Sequence, residues 1–586
     1  MSLNAPSIDR RTLLRASGGL ALAPWFPAWA QTNSPGIVRP LPSVSGADIH
    51  LKIAHQMIDL DGRKGHAIGI NGTIPGPLVR LREGQTVRLH VENALDEDSS
   101  IHWHGLILPF HMDGVPGVSF PGIRPRSTFT YEFPIVQSGT YWYHSHSGLQ
   151  EQMGHYGPLV IDPAGADPIR SDREHVIVLS DYSFTHPHNI FRKLKQMGGY
   201  YNRQKLTAVD GEPMSALDRT EWGGMRMDPT DISDVTGTAY AFLINGHGPR
   251  DNWTALFKPG EKVRLRFVNA SAMTIFNVRI PGLKLTVVQA DGLPVRPVSV
   301  DEFQITVAET YDVIVEPVDD RAYTIAAETV DRSGMAIATL APRPGMAAPV
   351  PPLRKRPLLT MKDMGMGDMH GGGGDAGCTP EHAEMGHCTM PDAKGAGGTA
   401  MQHSMRDFSV APGVARTPTV QSISPMPVDR MGDPGIGLGD VGHRVLTYRD
   451  LAARDRNPDT RPPGRELRIH LTGNMERYMW AFDGVKLSEV TRPIPFTEGE
   501  RVRVTLVNDT MMAHPIHLHG HFFELQTGKG DHAPRKHTVN VQPGGTATFD
   551  LTADAVGDWA FHCHLLYHMH AGMMQVVTVR PRGEVG

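Results

Sequence analysis

Gly499-Glu500-Arg501-Val502-Arg503-Val504-Thr505-Leu506-Val507-Asn508 decides the fold, because the same pattern occurs twice more in the chain. One earlier copy is Glu83-Gly84-Gln85-Thr86-Val87-Arg88-Leu89-His90-Val91-Glu92-Asn93. The other is Gly260-Glu261-Lys262-Val263-Arg264-Leu265-Arg266-Phe267-Val268-Asn269. Each reads Gly-x-x-Val-Arg, then alternating apolar residues, then Asn. Alternation with β-branched residues predicts a strand with one face in a core. The Gly starts the strand from a turn and the Asn ends it. Three copies imply three related β-sandwiches.

A second repeat agrees. Gly139-Thr140-Tyr141-Trp142-Tyr143-His144-Ser145-His146 matches Gly557-Asp558-Trp559-Ala560-Phe561-His562-Cys563-His564. Between them, Arg321-Ala322-Tyr323-Thr324-Ile325-Ala326-Ala327 is the same strand without histidines. The first and last units are therefore expected to carry metal. The middle unit reads as a spacer that holds them at the right distance. Short helical pieces are expected in it near Phe191-Arg192-Lys193-Leu194. The expected units span 45–165, 172–340 and 441–582.

A chain of 586 residues is too long for one core, and roughly three or four domains are expected at ~150 residues each. The 62 Gly and 47 Pro favour short strands and turns over long helices. The net charge of -5, with no basic run, argues against a nucleic-acid partner. Three Cys are too few for a disulfide scaffold.

Residues 1–30 read as a targeting segment. Arg10-Arg11 precedes Thr12-Leu13-Leu14 and an apolar run from Ala16 to Trp29, and Ala28-Trp29-Ala30 supplies a cleavage site before Gln31. This resembles a twin-arginine export signal, with an ordinary secretory signal as the alternative. Either takes the mature protein out of a bacterial cytoplasm. No later segment has the roughly 18 apolar residues of a membrane span.

The second to third repeat spacing is lengthened by a segment over 341–440. Its centre is rich in Met, His and Gly, and that composition predicts a flexible insertion rather than a packed core. Thioether sulfur prefers Cu(I), and imidazole accepts either copper oxidation state. Met361, Met364, Met366, Met369, His370, Met385, His387, Met390, Met401, His403 and Met405 are therefore candidate Cu(I)-capturing residues. A linker that is merely Met-rich is the alternative. Cys378 and Cys388 in the same segment suit either a disulfide or two more Cu(I) ligands.

Four histidine motifs carry the chemistry. They are His102-Trp103-His104, His144-Ser145-His146, His514-Pro515-Ile516-His517-Leu518-His519, and His562-Cys563-His564 followed by His568 and Met573. Residues i and i+2 of a strand share a side, so each His-x-His pair can present two imidazoles to one cavity. Four such pairs give eight imidazoles, enough for three copper ions. Cys563 points the opposite way. With His514, His568 and a long axial Met573 it has the donor set of a blue-copper site. A lone His-x-His is more often a satisfied surface pair, and zinc can occupy a His cluster. Four ordered motifs with Cys and Met in place favour copper.

These motifs resemble those of the multicopper oxidases, over essentially the whole mature chain. The resemblance implies an all-β fold of three cupredoxin-like Greek-key sandwiches, and four copper ions. By motif, His514, Cys563, His568 and Met573 match the type 1 ligands. His102 and His517 match type 2. His104, His144, His146, His519, His562 and His564 match the type 3 pair. The implied reaction passes electrons from a reductant through Cys563 to the cluster, where O2 becomes water. Asp113 resembles the acid that relays protons near type 2 copper, with a turn-capping role before Gly114 as the alternative. Some members carry a carboxylate in the last motif. Tyr567-His568-Met569-His570 has none, which puts a second proton route in doubt.

Within the family the chain looks most like the periplasmic copper-resistance oxidases. The resemblance rests on His102 to Gly122, on Asp228-Pro229-Thr230-Asp231-Ile232-Ser233-Asp234-Val235-Thr236-Gly237 and on the export signal. It implies a periplasmic oxidase of Cu(I), and a copper-delivery partner there would fit that chemistry. A laccase-like oxidase of phenols and a copper-sequestering protein with secondary oxidase activity are the competing readings.

Overall fold

The computed structural model describes residues 36–204, 216–225, 227–366 and 405–583. The predicted export segment and Met369, His370, Cys378, Met385, His387, Cys388, Met390, Met401 and His403 lie outside them. The described chain is mainly β, arranged as three sandwiches of two sheets each. No described helix is long and apolar enough to cross a membrane.

The three repeat strands, Thr86–Asn93, Val263–Asn269 and Arg501–Asn508, occupy the same place in each sandwich. Each lies between a preceding parallel strand and a following antiparallel one. The terminal Asn is fully buried in all three copies. Its amide donates to two carbonyls across the loop. The acceptors are Glu97 and Ile123 for Asn93, Thr274 and Ile305 for Asn269, and Met512 and Val541 for Asn508. Its Oδ1 accepts the N–H two residues on. One side chain thus satisfies backbone groups that the end of a buried strand leaves without partners.

Only the first copy behaves as the alternation predicts, with one buried face. The second is buried on both faces. Arg264 and Arg266 lie under the first sandwich, where Asp312, Asp167 and Glu174 neutralise them. Arg266 also donates to Thr140 Oγ1 at 2.9 Å. A buried guanidinium is tolerated when paired and hydrogen-bonded. These contacts fix the strand that ends at His144 against the middle sandwich. One apolar core runs through the second and third sandwiches and takes in Trp142, Tyr156 and Val160 of the first.

The expected helix in the middle unit is Pro187–Gln196, which buries Ile190 and Leu194. The stretch predicted to be flexible over 341–440 differs from expectation wherever it is described. Residues 341–366 and 405–440 lie against the sandwiches. Arg354 bridges Glu302 and Glu328, Arg430 reaches Asp363, and Ser424 N donates to Asp509. Leu359, Val414, Val420, Ile423 and Leu438 are buried. The flanks of the segment hold enough apolar and paired polar groups to offset the entropy of ordering, a feature masked by the Gly- and Met-rich centre.

Candidate metal centre

In the first sandwich, His102–His104 pairs with Gly139–His144, with His102 opposite His144. In the third, His514–Leu518 pairs with Gly557–Cys563, with His517 opposite His562 and Ile516 opposite Cys563. Strand pairing thus joins the histidine motifs two by two, and packing of the first sandwich on the third brings the two pairs together. His102 stacks on His519 at 3.9 Å and His104 on His517 at 3.8 Å between ring centroids, across the two sandwiches.

The ring nitrogens are sorted. Nδ1 of His102 donates to the Asp113 carbonyl (2.7 Å), His517 to the His537 carbonyl (2.7 Å), and His562 to the Cys563 carbonyl (3.0 Å). Nδ1 of His144 bonds Glu151 Oε2 (2.7 Å) and that of His519 bonds Asp113 Oδ2 (2.8 Å). The Nε2 atoms of His102, His144, His146, His517 and His564 are buried with no protein partner. Nε2 of His519 and His562 lie 3.0 Å apart. Outer-shell acceptors on one nitrogen and a free lone pair on the other are what metal-ligating imidazoles need. Burial, reinforced by neighbouring imidazoles, holds His104, His144, His146, His517, His519 and His564 well below the usual histidine range, and His562 at about 4. They are neutral, the form that binds metal.

Cys563 faces away from this cluster. Its Sγ lies 3.5 Å from His514 Nδ1 and 3.8 Å from His568 Nδ1, and the two Nδ1 atoms are 3.2 Å apart. Three ligand atoms so spaced fit one ion at ordinary metal–N and metal–S bond lengths. Met573 is fully buried, and its carbonyl accepts from Cys563 N. Burial pushes the Cys563 thiol up, so the apo-protein holds a protonated Cys there. Each imidazole is oriented by its far nitrogen. Thr510 Oγ1 meets His514 Nε2 at 2.8 Å, and Asp234 Oδ2 accepts from His568 Nε2 at 2.7 Å. Trp480 stacks on His568 at 3.9 Å. Burial raises the Asp234 carboxyl to about 7, against the Tyr478 hydroxyl that donates to it.

Asp113 does more than cap a turn. Its backbone closes the short helix Phe110–Met112, while its carboxylate lies beside His102 (3.2 Å) and His519, one from each outer sandwich. Gly114 follows in the left-handed region, φ +85°, and a Cβ there would sit 1.8 Å from the Ile101 carbonyl. Only glycine lets this loop press so close behind His102.

Met361, Met364, Met366 and Met405 come together. Met364 is buried beside Trp222, Leu359 and Met511, and the other three pack on the same cluster with Met225, Met227 and Met475. A surface cavity of about 360 Å³ nearby is lined by Met227, Met475, Met511, Asp228 and Asp231. Met511 is three residues from His514, and Asp231 three from Asp234.

Sequence reasoning missed Glu151, Asp234, Thr510, Trp480 and His537. Asp234 stood inside the quoted stretch Asp228 to Gly237, without a role. Glu151, five residues after His146, sets a buried carboxylate against His144. The middle sandwich is thus more than a spacer, because Asp234 belongs to it.

Sequence profiles described as multicopper oxidase match residues 52–166, 207–343 and 460–583. Copper resistance protein A of Escherichia coli is 48% identical, with 97% of this chain and 99% of that protein covered. The copper resistance protein A homolog of Pseudomonas syringae pv. tomato is 49% identical, covering 94% and 95%. Among solved structures, the multicopper oxidase from Campylobacter jejuni superposes with a TM-score of 0.57 at 18% identity, covering 94% and 96%. The laccase from Botrytis aclada superposes with a TM-score of 0.59 at 22% identity, covering 92% and 88%. At such identities these two similarities concern the fold.

Proposed function

The chain belongs to the multicopper oxidase family, and from that premise we propose that it is an exported cuprous oxidase of copper resistance. The observation that carries the reading is the Cys563, His514 and His568 triangle, with His562 and His564 turned from the same strand into the eight-imidazole cluster. His514, Cys563, His568 and Met573 would hold type 1 copper, and His102 and His517 type 2. His104, His144, His146, His519, His562 and His564 would hold the type 3 pair. Bound copper supplies a one-electron acceptor at Cys563 and a three-ion cluster that reduces O2 to water. O2 takes four electrons and four protons to give two waters, so each turnover consumes four Cu(I).

The protein's own residues set the conditions. Cys563 gives up its proton on loading, because the thiolate is the ligand. The Cys563 backbone links the two sites covalently through His562 and His564. Asp113 and Glu151 hold His102, His519 and His144 in place, and Asp113 stands where a proton would be handed on. Burial excludes bulk water from the imidazoles.

The cavity lined by Met227, Met475 and Met511 with Asp228 and Asp231 suits Cu(I), since soft thioethers select it and carboxylates attract its charge. The names of the copper-resistance relatives agree. Asp231 of this cavity is three residues from Asp234, which accepts from His568. Residues 1–30 would direct the protein to the periplasm.

The test is O2 uptake by the copper-loaded protein titrated with Cu(I), beside Cys563→Ser and a Met227→Leu/Met475→Leu/Met511→Leu variant. Uptake that saturates with Cu(I), vanishes with the blue colour in Cys563→Ser, and needs more Cu(I) in the triple variant is expected. A bulky phenol oxidised far faster than Cu(I), with the triple variant unaffected, would overturn the substrate.

A further inference from the structure

We propose that Asp48, His50 and His90 form a separate site for a divalent transition-metal ion, Cu(II) foremost, on the outer face of the first sandwich. None of the three belongs to the four histidine motifs, and the binding is independent of what the buried cluster holds.

The strands Asp48–Leu60 and Thr86–Asn93 pair in parallel, with Asp48 opposite Arg88 and His50 opposite His90. Ile49, Leu51, Leu89 and Val91 point into the core of the first sandwich. Strand alternation therefore turns Asp48, His50 and His90 to the opposite, solvent side. Their sheet is not the one that carries His102 and His144.

Both imidazoles turn Nε2 to the same carboxylate oxygen. Asp48 Oδ1 is 3.0 Å from His90 Nε2 and 3.6 Å from His50 Nε2. The two rings stack at 4.6 Å between centroids. Donors so spaced fit one ion at ordinary metal–N and metal–O bond lengths. The far atoms are held. His90 Nδ1 bonds Thr130 Oγ1 at 2.8 Å, and Arg88 donates to Asp48 Oδ2 at 2.8 Å. Outer partners of this kind orient metal ligands. Arg88 already neutralises Asp48, so two imidazoles on its other oxygen exceed what an ion pair requires. Lys52, the other flanking cation, is paired with Glu92 at 2.7 Å. The His50 side chain is 80% exposed, so an ion reaches the site directly from solvent.

Imidazole and carboxylate without a thioether select a divalent ion over Cu(I), and the order of affinities places Cu(II) above Zn(II). On the reading above Cu(II) is the product, so this site would hold product rather than substrate.

Zn(II) is the probe, because it can be told from resident copper. The copper-loaded protein is titrated with Zn(II) by calorimetry, beside His50→Ala, His90→Ala and Thr130→Val. Crystals soaked in Zn(II) are read by anomalous scattering at the zinc edge. We expect a zinc peak between Asp48, His50 and His90. One class of site should vanish in each His variant and weaken about 10- to 100-fold in Thr130→Val. Blue absorbance and O2 uptake should not change, since these side chains lie on the outer face. Cu(II) should displace the zinc at lower concentration. Isotherms that are the same in wild type and both His variants, or a soaked crystal with no zinc at these residues, would overturn the site. Zinc that Cu(II) does not displace would overturn its assignment to Cu(II).

Discussion

His568 Nε2 donates to Asp234 Oδ2 at 2.7 Å, and both residues are buried although 334 positions separate them. The bond joins the middle sandwich to a ring that shares its site with Cys563. Asp234→Asn should keep the blue absorbance but slow its bleaching by Cu(I) about 10- to 100-fold, the usual scale for an outer-shell partner. Stopped-flow measurement with Cu(I) checks this. An unchanged rate would remove Asp234 from the electron path.

Glu151 holds His144 by a 2.7 Å contact between two buried side chains. Glu151→Gln can still accept a hydrogen bond but carries no charge. Cluster copper should be retained about 10- to 100-fold less tightly, while the blue site is untouched. Metal analysis after graded dialysis against a chelator reads both. Equal retention would make Glu151 a bystander.

Asn508 closes its strand and also orients Thr510, which holds His514. Asn508→Ala removes the partner of the Val541 carbonyl and the Thr510 N–H and leaves the Met512 carbonyl only the Thr510 hydroxyl, a loss of about 2–4 kcal/mol. Denaturant unfolding should show that loss, and the blue absorption band should shift. Asn93→Ala is expected to cost a similar amount without moving the band, because its loop leads to His102 instead.

Stability of the apo-protein should depend on pH through the buried imidazoles. Burial holds His562 and His537 at about 4, whereas an unfolded histidine titrates near about 6.5. Above about 6.5 both states are neutral and stability is full. As pH falls from there toward about 4, the unfolded chain binds protons that the folded one refuses, so stability drops. Thermal unfolding of the apo-protein across this range should show a falling Tm. Copper bound only to the folded state should raise Tm throughout. A flat apo profile would contradict neutral buried histidines.

What the sequence determined was what lies along one strand or recurs at a fixed spacing. Alternation announces a strand wherever it occurs, so three copies of Gly499 to Asn508 declared three sandwiches. The i, i+2 rule fixed which histidines share a side and set Cys563 against its neighbours. Strand pairing then joined the motifs two by two, and packing of the first sandwich on the third brought the two pairs together. Only tertiary structure could decide partners drawn from other sandwiches. Asp234, Glu151 and His537 stand beside their imidazoles through packing between sandwiches and loop closure, which leave no local period to read. The same reason governs Arg264 and Arg266, whose alternation promised an exposed face that the first sandwich covers. It governs the ends of the Met-rich segment too, where composition pointed to flexibility and long-range burial supplied order.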